Sequence, residues 1–220
     1  MPRKNYIMVD GPDGAGKGMI LDSAESFLKK THNVIRLCEP AMDGIGEVIR
    51  NELIKTGTGR DYSASTTAMA CAIDREILYR KTVLPALEGK AYVVQDRGLP
   101  ASLAYQTAQA GFLKERLSLK DILSMPGNRL ALANAPGLLL IPDVDVETAM
   151  QRLSEREKKD DSIFENPEFQ KKVRDFYHSG KFRKIFSKAG TKIIYINTGI
   201  SKESTMEQSV AAVRSYIFSV

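Results

Sequence analysis

The stretch from Tyr6 to Lys17 constrains the fold more than any other part of this chain. An apolar β-type run, Tyr6-Ile7-Met8-Val9-Asp10, feeds the turn Gly11-Pro12-Asp13-Gly14-Ala15-Gly16-Lys17, and an amphipathic pattern follows at Ile20, Leu21, Ala24, Phe27 and Leu28. Strand, glycine-rich turn and helix in that order form a cradle for phosphate. Glycines let backbone N–H groups approach an anion, the helix N-terminus adds positive potential, and Lys17 can bridge the outer phosphates. Gly11, Gly16 and Lys17 meet the spacing G-x-x-x-x-G-K-[ST], but Gly18 takes the place of the hydroxyl that commonly ligates Mg²⁺, and Met19 follows. The expected ligand is a nucleoside polyphosphate held by residues 11–18, with Mg²⁺ dependent on other groups.

Four further short apolar runs, at residues 34–38, 92–96, 138–141 and 192–197, alternate with helical patterns. Continuous rather than alternating apolar runs suit parallel strands covered on both faces. The expected fold is α/β: a doubly wound, five-stranded parallel sheet flanked by helices, with ligands at the C-terminal edge of the strands. Helical patterns fall near residues 17–30, 45–56, 64–88, 101–110, 117–125, 146–157, 167–188 and 201–219. With 220 residues, no repeat and no break in composition, one domain over 1–220 is expected.

The chain is 43% hydrophobic and 27% charged, without an apolar run of the ~20 residues needed to span a bilayer. A cytoplasmic protein without membrane attachment is expected, its two cysteines, Cys38 and Cys71, reduced and not spaced as metal ligands. The net charge of +5 is spread along a chain poor in aromatic residues, which suits small polyanions better than nucleic acid.

Asp96 closes the third apolar run, so its carboxylate falls at the same sheet edge as the phosphate loop and can hold Mg²⁺ or cap the next helix. Asp13 lies inside the loop, where a carboxylate beside phosphates calls for a metal or a sugar hydroxyl. Arg50, Arg75 and Arg97 flank the same edge, and their forks could grip a second phosphate or serve as ordinary ion-pair partners. Arg152, Arg156, Lys158 and Lys159 form a basic run before Asp160 and Asp161. By charge alone this run reads as a solvated helix end; the functional alternative is a lid closing over phosphates.

Taken together these segments resemble the thymidylate kinase family of phosphate-loop nucleoside monophosphate kinases. Glu39-Pro40 with Gly46-Glu47-Val48-Ile49-Arg50 is similar to E-P-G-G-T-x-x-G-E-x-I-R. Asp74-Arg75 resembles the end of the family's long-helix motif, and Asp96-Arg97 through Ala104-Tyr105-Gln106 resembles D-R-x-x-x-S-x-x-A-Y-Q. Asp143-Val144 with Glu147 and Arg152 resembles the stretch leading into the lid.

The resemblance implies transfer of a phosphoryl group from ATP to a deoxynucleoside monophosphate, dTMP above all, with Mg²⁺ as cofactor and a possible homodimer. Residues 11–18 would hold ATP: Gly11, Pro12, Asp13, Gly14, Ala15, Gly16, Lys17 and Gly18. Residues 39–106 would bind the acceptor through Asp13, Glu39, Pro40, Arg50, Cys71, Arg75, Arg97, Tyr105 and Gln106, with Arg75 and Arg97 on its phosphate, Tyr105 against the deoxyribose and Gln106 near the base. Asp96 and Asp13 would serve the metal. Catalytic cations would be Lys17, Arg97 and a lid arginine, because Gly14 occupies the loop-arginine position. Within a lid at residues 152–166, Arg156 is the favoured candidate and Arg152 the next. The departures are Gly18 and Met19, Cys71 in place of a base-stacking aromatic, Ala101 for serine, Ala41-Met42-Asp43 for G-G-T, and Asp161-Ser162-Ile163-Phe164-Glu165 for D-R-I-E. They keep two alternatives open: a kinase of broadened base preference, or a weakly catalytic nucleotide-binding protein on the same fold.

Overall fold

The computed structural model describes residues 3–55, 62–155, 164 and 166–218. Five strands, β1 (Arg3–Val9), β2 (Val34–Cys38), β3 (Tyr92–Asp96), β4 (Pro136–Asp143) and β5 (Lys192–Asn197), form one sheet in the order β2-β3-β1-β4-β5. Every pairing is parallel. The chain leaves β1 for the far side of β3 and later returns on the other side of β1 as β4. The sheet therefore reverses its winding at the C-terminal end of β1, where open α/β sheets bind ligands.

Alternation along the strands divides the core between two faces. Tyr6 and Met8 of β1, Val93 of β3, and Leu139 and Ile141 of β4 face the larger core. Ile7, Val9, Val94, Leu138 and Leu140 face the other, closed by α1 (Lys17–Leu28) and α11 (Lys202–Phe218) through Ile20, Leu21, Ala24 and Val213. The larger face carries α3 (Ala64–Leu78), α5 (Leu99–Leu113), α9 (Pro167–His178) and α10 (Gly180–Lys188), and the functional cleft opens there.

Several elements depart from the periodicity reading for identifiable reasons. β4 runs past Ile141 through Pro142 to Asp143. A proline is tolerated because β1 last pairs at Val9↔Leu140 and has left the ladder by then. The pattern at 64–88 is divided: after α3 the backbone widens over Tyr79–Val83 and resumes as α4 (Leu84–Glu88), where Pro85 cannot donate back to the preceding turn. The pattern at 167–188 breaks at Ser179, whose extended backbone ends α9 while its hydroxyl accepts from the Phe182 N–H to cap α10. After α6 (Leu119–Ser124) comes an unexpected helix, α7 (Pro126–Ala133), begun by a proline at its first position. Two shorter elements complete the fold near the site, α2 (Gly44–Val48) and α8 (Val146–Ser154). Among the described residues no helix is long and apolar enough to cross a membrane.

Candidate active site

The phosphate loop is shaped by three glycines in left-handed or otherwise positive-φ backbone, Gly11, Gly14 (φ 72°) and Gly16 (φ 92°). At Gly14 the requirement is double. A Cβ there would overlap the Ala149 carbonyl oxygen of α8, so the helix leading into residues 156–163 rests directly on the loop. The Lys17 ammonium donates to the carbonyls of Pro12 (2.7 Å) and Gly11 (3.2 Å) and lies 3.9 Å from Asp13 Oδ1. Burial, reinforced by the nearby Arg97 cation, brings its pKa down to about 8.

Asp10, unexposed at the end of β1, ties this loop to the rest of the site. Its Oδ1 accepts from the Gly11 N–H (2.9 Å) and the Tyr177 hydroxyl (2.8 Å). Its Oδ2 accepts from the N–H groups of Gly98 (2.9 Å) and Ala101 (3.0 Å) in the first turn of α5. No side chain of α5's own caps that turn, so Asp10 supplies the cap and the compensating negative charge from across the fold.

Arg97 follows β3 with φ 61°, a left-handed conformation costing a non-glycine residue roughly 1–2 kcal/mol. Its N–H donates to the Val9 carbonyl (2.9 Å), and its guanidinium is ion-paired with Asp13 Oδ1 and donates to the Gly11 carbonyl (3.3 Å). The guanidinium also sits 4.9 Å from the Tyr105 ring centre. Tyr105 donates its hydroxyl proton to Asp13 Oδ2 (2.9 Å). Gln170 of α9 completes the group, accepting from the Asp13 N–H (3.0 Å) and donating to Asp13 Oδ2 (3.1 Å) and the Phe164 carbonyl (3.0 Å). Burial opposes ionisation of Asp13, but Arg97 and Lys17 outweigh it and hold the carboxyl below its ordinary pKa.

Above this cluster lies a second polar layer. Buried Glu39 pairs with Arg75 Nη2 (2.6 Å) and accepts from Gln95 Nε2 (2.9 Å). Arg75 also donates to Ser102 Oγ (2.9 Å) and to Asn128 Oδ1, while its Nε has no partner among the described residues. Burial drives the Glu39 carboxyl up to about 7 despite Arg75. Gln106, 4% exposed, likewise has an Oε1 without a partner among the described residues. Arg50 is held on the Pro40 carbonyl, and both cysteines are free. Burial raises the Cys71 thiol to about 12.

A single cleft of about 720 Å³ joins the two layers. From the phosphate loop it is lined by Asp13, Gly14, Gly16, Lys17 and Gly18; Gly11, Pro12 and Ala15 shape the loop without lining the cleft. Glu39, Pro40, Arg50, Cys71 and Arg75 form one wall, and Asp96, Arg97, Tyr105 and Gln106 the other. Arg152 stands outside it, donating to the Thr198 carbonyl (2.8 Å), while Thr198 in turn donates to the Ala15 carbonyl (2.8 Å). Arg156, the favoured lid cation, and Lys158 to Ile163 lie outside the described residues.

Sequence reasoning missed Asp10, Gln170, Tyr177, Ser102 and Asn128. For Gln170 and Tyr177 a signal existed: they share the buried stripe of α9 with Val173, and a glutamine in that phase has a reason to be inside. Asp96 has a buried Oδ1 without a hydrogen-bond partner among the described residues. No group of three or more His, Cys, Asp or Glu side chains among the described residues could enclose a metal ion. This donor set fits Mg²⁺, which uses one or two carboxylates and completes its octahedron with water and phosphate oxygens. At Gly18 a Cβ would meet no described residue within 4 Å.

The parallel sheet, its reversal at β1 and the glycine cradle define a phosphate-loop nucleotide-binding protein of the P-loop NTPase fold. A crystal structure of thymidylate kinase from Ehrlichia chaffeensis shares that fold, with a TM-score of 0.68 at 21% identity over 95% of this chain and 97% of that one. The thymidylate kinase family model matches residues 9–208. A thymidylate kinase of Vesicomyosocius okutanii subsp. Calyptogena okutanii is 33% identical, covering 80% of this chain and 83% of its own. A probable thymidylate kinase of Methanococcus vannielii is also 33% identical, covering 79% and 76%. The chain belongs to the thymidylate kinase family.

The Lys17 pKa yields a direct expectation. Lowered to about 8, the ammonium is charged below that pH and neutral above it. Binding of ATP to the free protein, followed by titration of a fluorescent analogue, should weaken as pH rises through about 8, and a Lys17→Arg variant should lose that limb. An affinity flat from about pH 7 to about pH 9 in the unaltered protein would contradict the buried-cation description.

Proposed function

We propose that this protein phosphorylates dTMP, transferring the γ-phosphoryl group of ATP to give dTDP and ADP. The observation that carries the reading is one cleft lined by the phosphate loop and by two side chains that each keep a buried polar atom unpaired, Arg75 and Gln106. Arg75 Nε–H is a donor and Gln106 Oε1 an acceptor, neither with a partner among the described residues, and we read them as base-reading groups. A pyrimidine carbonyl next to a ring N–H, as in thymine, offers the complementary acceptor and donor, and leaving either group unpaired is costly.

In this reading residues 11–18 hold the β- and γ-phosphates, and Lys17 leaves the loop carbonyls to neutralise them. Arg97 binds the acceptor phosphate from a backbone fixed in advance by its bond to Val9, which limits reorganisation. Asp13 and Tyr105 orient the deoxyribose, with the Tyr105 ring set against a 2′-hydroxyl. Glu39, Pro40, Arg50 and Cys71 complete the acceptor wall. The proximity of α8 to Gly14 leaves no room for a loop arginine, so the cation at the transferring group comes from the lid, Arg156 first and Arg152 second. Such a cation is worth ~10³–10⁵ in rate. Asp96, with Asp13 nearby, would hold Mg²⁺ through its unpartnered oxygen, and the ion supplies charge neutralisation between the phosphates. The enzyme works as a single domain in the cytoplasm, where free thiols persist, on mononucleotides rather than nucleic acid.

The test is ADP release from ATP with dTMP, dUMP, dCMP, dAMP and dGMP offered separately, with and without Mg²⁺. Strong preference for dTMP and loss of turnover with EDTA are expected. Lys17→Ala should abolish activity, and Arg97→Ala should raise the dTMP KM about tenfold or more while lowering kcat. Comparable rates on several bases would replace this reading with a broad-specificity kinase, and rates no higher than those of Lys17→Ala would replace it with a binding protein.

We also propose a homodimer formed through α3. Met69, Ile73 and Ile77 recur every four residues on one helix face and are 49%, 53% and 40% exposed, an apolar stripe suited to self-pairing. Sedimentation velocity should give a dimer for the unaltered protein and a monomer for Ile73→Glu; a monomer for both would overturn it.

A further inference from the structure

The geometry points to Asn128 as a positioning residue for acceptor recognition, acting through Arg75. The inference rests on the reading of Arg75 as a base-reading group. Asn128 lies on α7, is fully buried and does not line the cleft, so it touches no substrate itself. Its Oδ1 accepts from Arg75 Nη1, and its Nδ2 donates to the Ile122 carbonyl (2.7 Å). The second bond fixes the orientation of the first, because a reversed amide would set an NH₂ group against the guanidinium.

Arg75 is a long side chain with many rotamers, yet it lines the cleft while only 1% exposed, and its buried Nε–H has no partner among the described residues. Its guanidinium plane is set by partners from three separate elements: Glu39 after β2 (2.6 Å), Ser102 on α5 (2.9 Å) and Asn128 on α7. Glu39 and Ser102 share Nη2 at one corner of the fork, and Asn128 alone among the three takes Nη1 at the other corner. Without Asn128 that corner is left buried and unpaired and the fork is held from one side only, so the placement of Arg75 depends on Asn128.

Its helix is anchored for this task. Gly127 packs against α3, and a Cβ there would overlap the Ala72 carbonyl oxygen, one turn before Arg75. The backbone contact sets the distance, and the next residue delivers the amide. A buried asparagine without such a role would be a poor choice for a helix that needs only to cover α3.

The experiment compares steady-state kinetics of Asn128→Leu, Asn128→Asp, Arg75→Lys and the Asn128→Leu/Arg75→Lys double variant, with thermal unfolding of each. Asn128→Leu removes both bonds at similar volume and should raise the KM for dTMP about tenfold, leaving the KM for ATP within about twofold. Asn128→Asp keeps an acceptor toward Nη1 but loses the donor to Ile122, and should hold the dTMP KM within about threefold of the unaltered enzyme, though with a lower melting temperature. In the Arg75→Lys background, Asn128→Leu should add no further rise. An unchanged dTMP KM in Asn128→Leu overturns the proposal, as does Asn128→Asp losing dTMP and ATP affinity together, the pattern of a purely structural residue. Should the leucine variant not fold, the aspartate variant alone decides on that criterion. If Arg75→Lys leaves the dTMP KM unchanged, the assignment of Arg75 itself fails, which is a distinguishable result.

Discussion

The site is built around the Asp10 carboxylate, which is buried at the end of the central strand and accepts four hydrogen bonds. Burial alone pushes its pKa upward, and Arg97, Tyr177 and Lys17 oppose that push. A carboxylate in this position is stable only while its four donors stay in place, and those donors belong to the phosphate loop, to the first turn of α5 and to α9. Three segments distant in sequence are thereby fixed relative to one another. The loop receives its register from Gly11, the Arg97 turn is bracketed by the bonds to Gly98 and Ala101, and α9 is placed so that Gln170 reaches Asp13.

On that base the chemistry is arranged in two layers with different tolerances. Around Asp13 the charges of Lys17 and Arg97 lie close together and remain partly exposed. Around Arg75 the groups are buried, and each unmatched donor or acceptor carries a desolvation penalty. In the function proposed above, the first layer serves the phosphates and the second the base. The left-handed backbone at Arg97 fits the same division, since strain held by surrounding bonds keeps a functional cation from relaxing elsewhere.

Much of this was legible in the sequence because it is local. The glycine spacing, the apolar runs of parallel strands and the Asp96-Arg97 pair at a strand end each follow from a few adjacent residues, and all five strands lie where those runs predict. What was not legible depends on long-range contact. Asp10 read as the last residue of a strand, since nothing local announces that Tyr177 and Ala101 converge on it. α7 was missed because Pro126 and Gly127 look like loop punctuation, whereas here the proline starts a helix and the glycine permits its close approach to α3. The partners of Arg75 are long-range too: it lines the same cleft as Arg50 and Arg97, but its bonds to Glu39, Ser102 and Asn128 come from elements its sequence neighbours could not reveal.

The coupling through Asp10 is tested most directly by amide hydrogen exchange of Asp10→Asn against the unaltered protein. An asparagine turns its NH₂ group toward one of the two donor pairs, Gly11 N–H with Tyr177 O–H or Gly98 N–H with Ala101 N–H, so the account predicts joint loss of protection at Gly11 and the following loop, at Gly98 to Ala101, and around Tyr177, with the remaining strands unchanged. Loss confined to one of those segments, or exchange indistinguishable from the unaltered protein, would contradict the claim that a single buried carboxylate holds the site together.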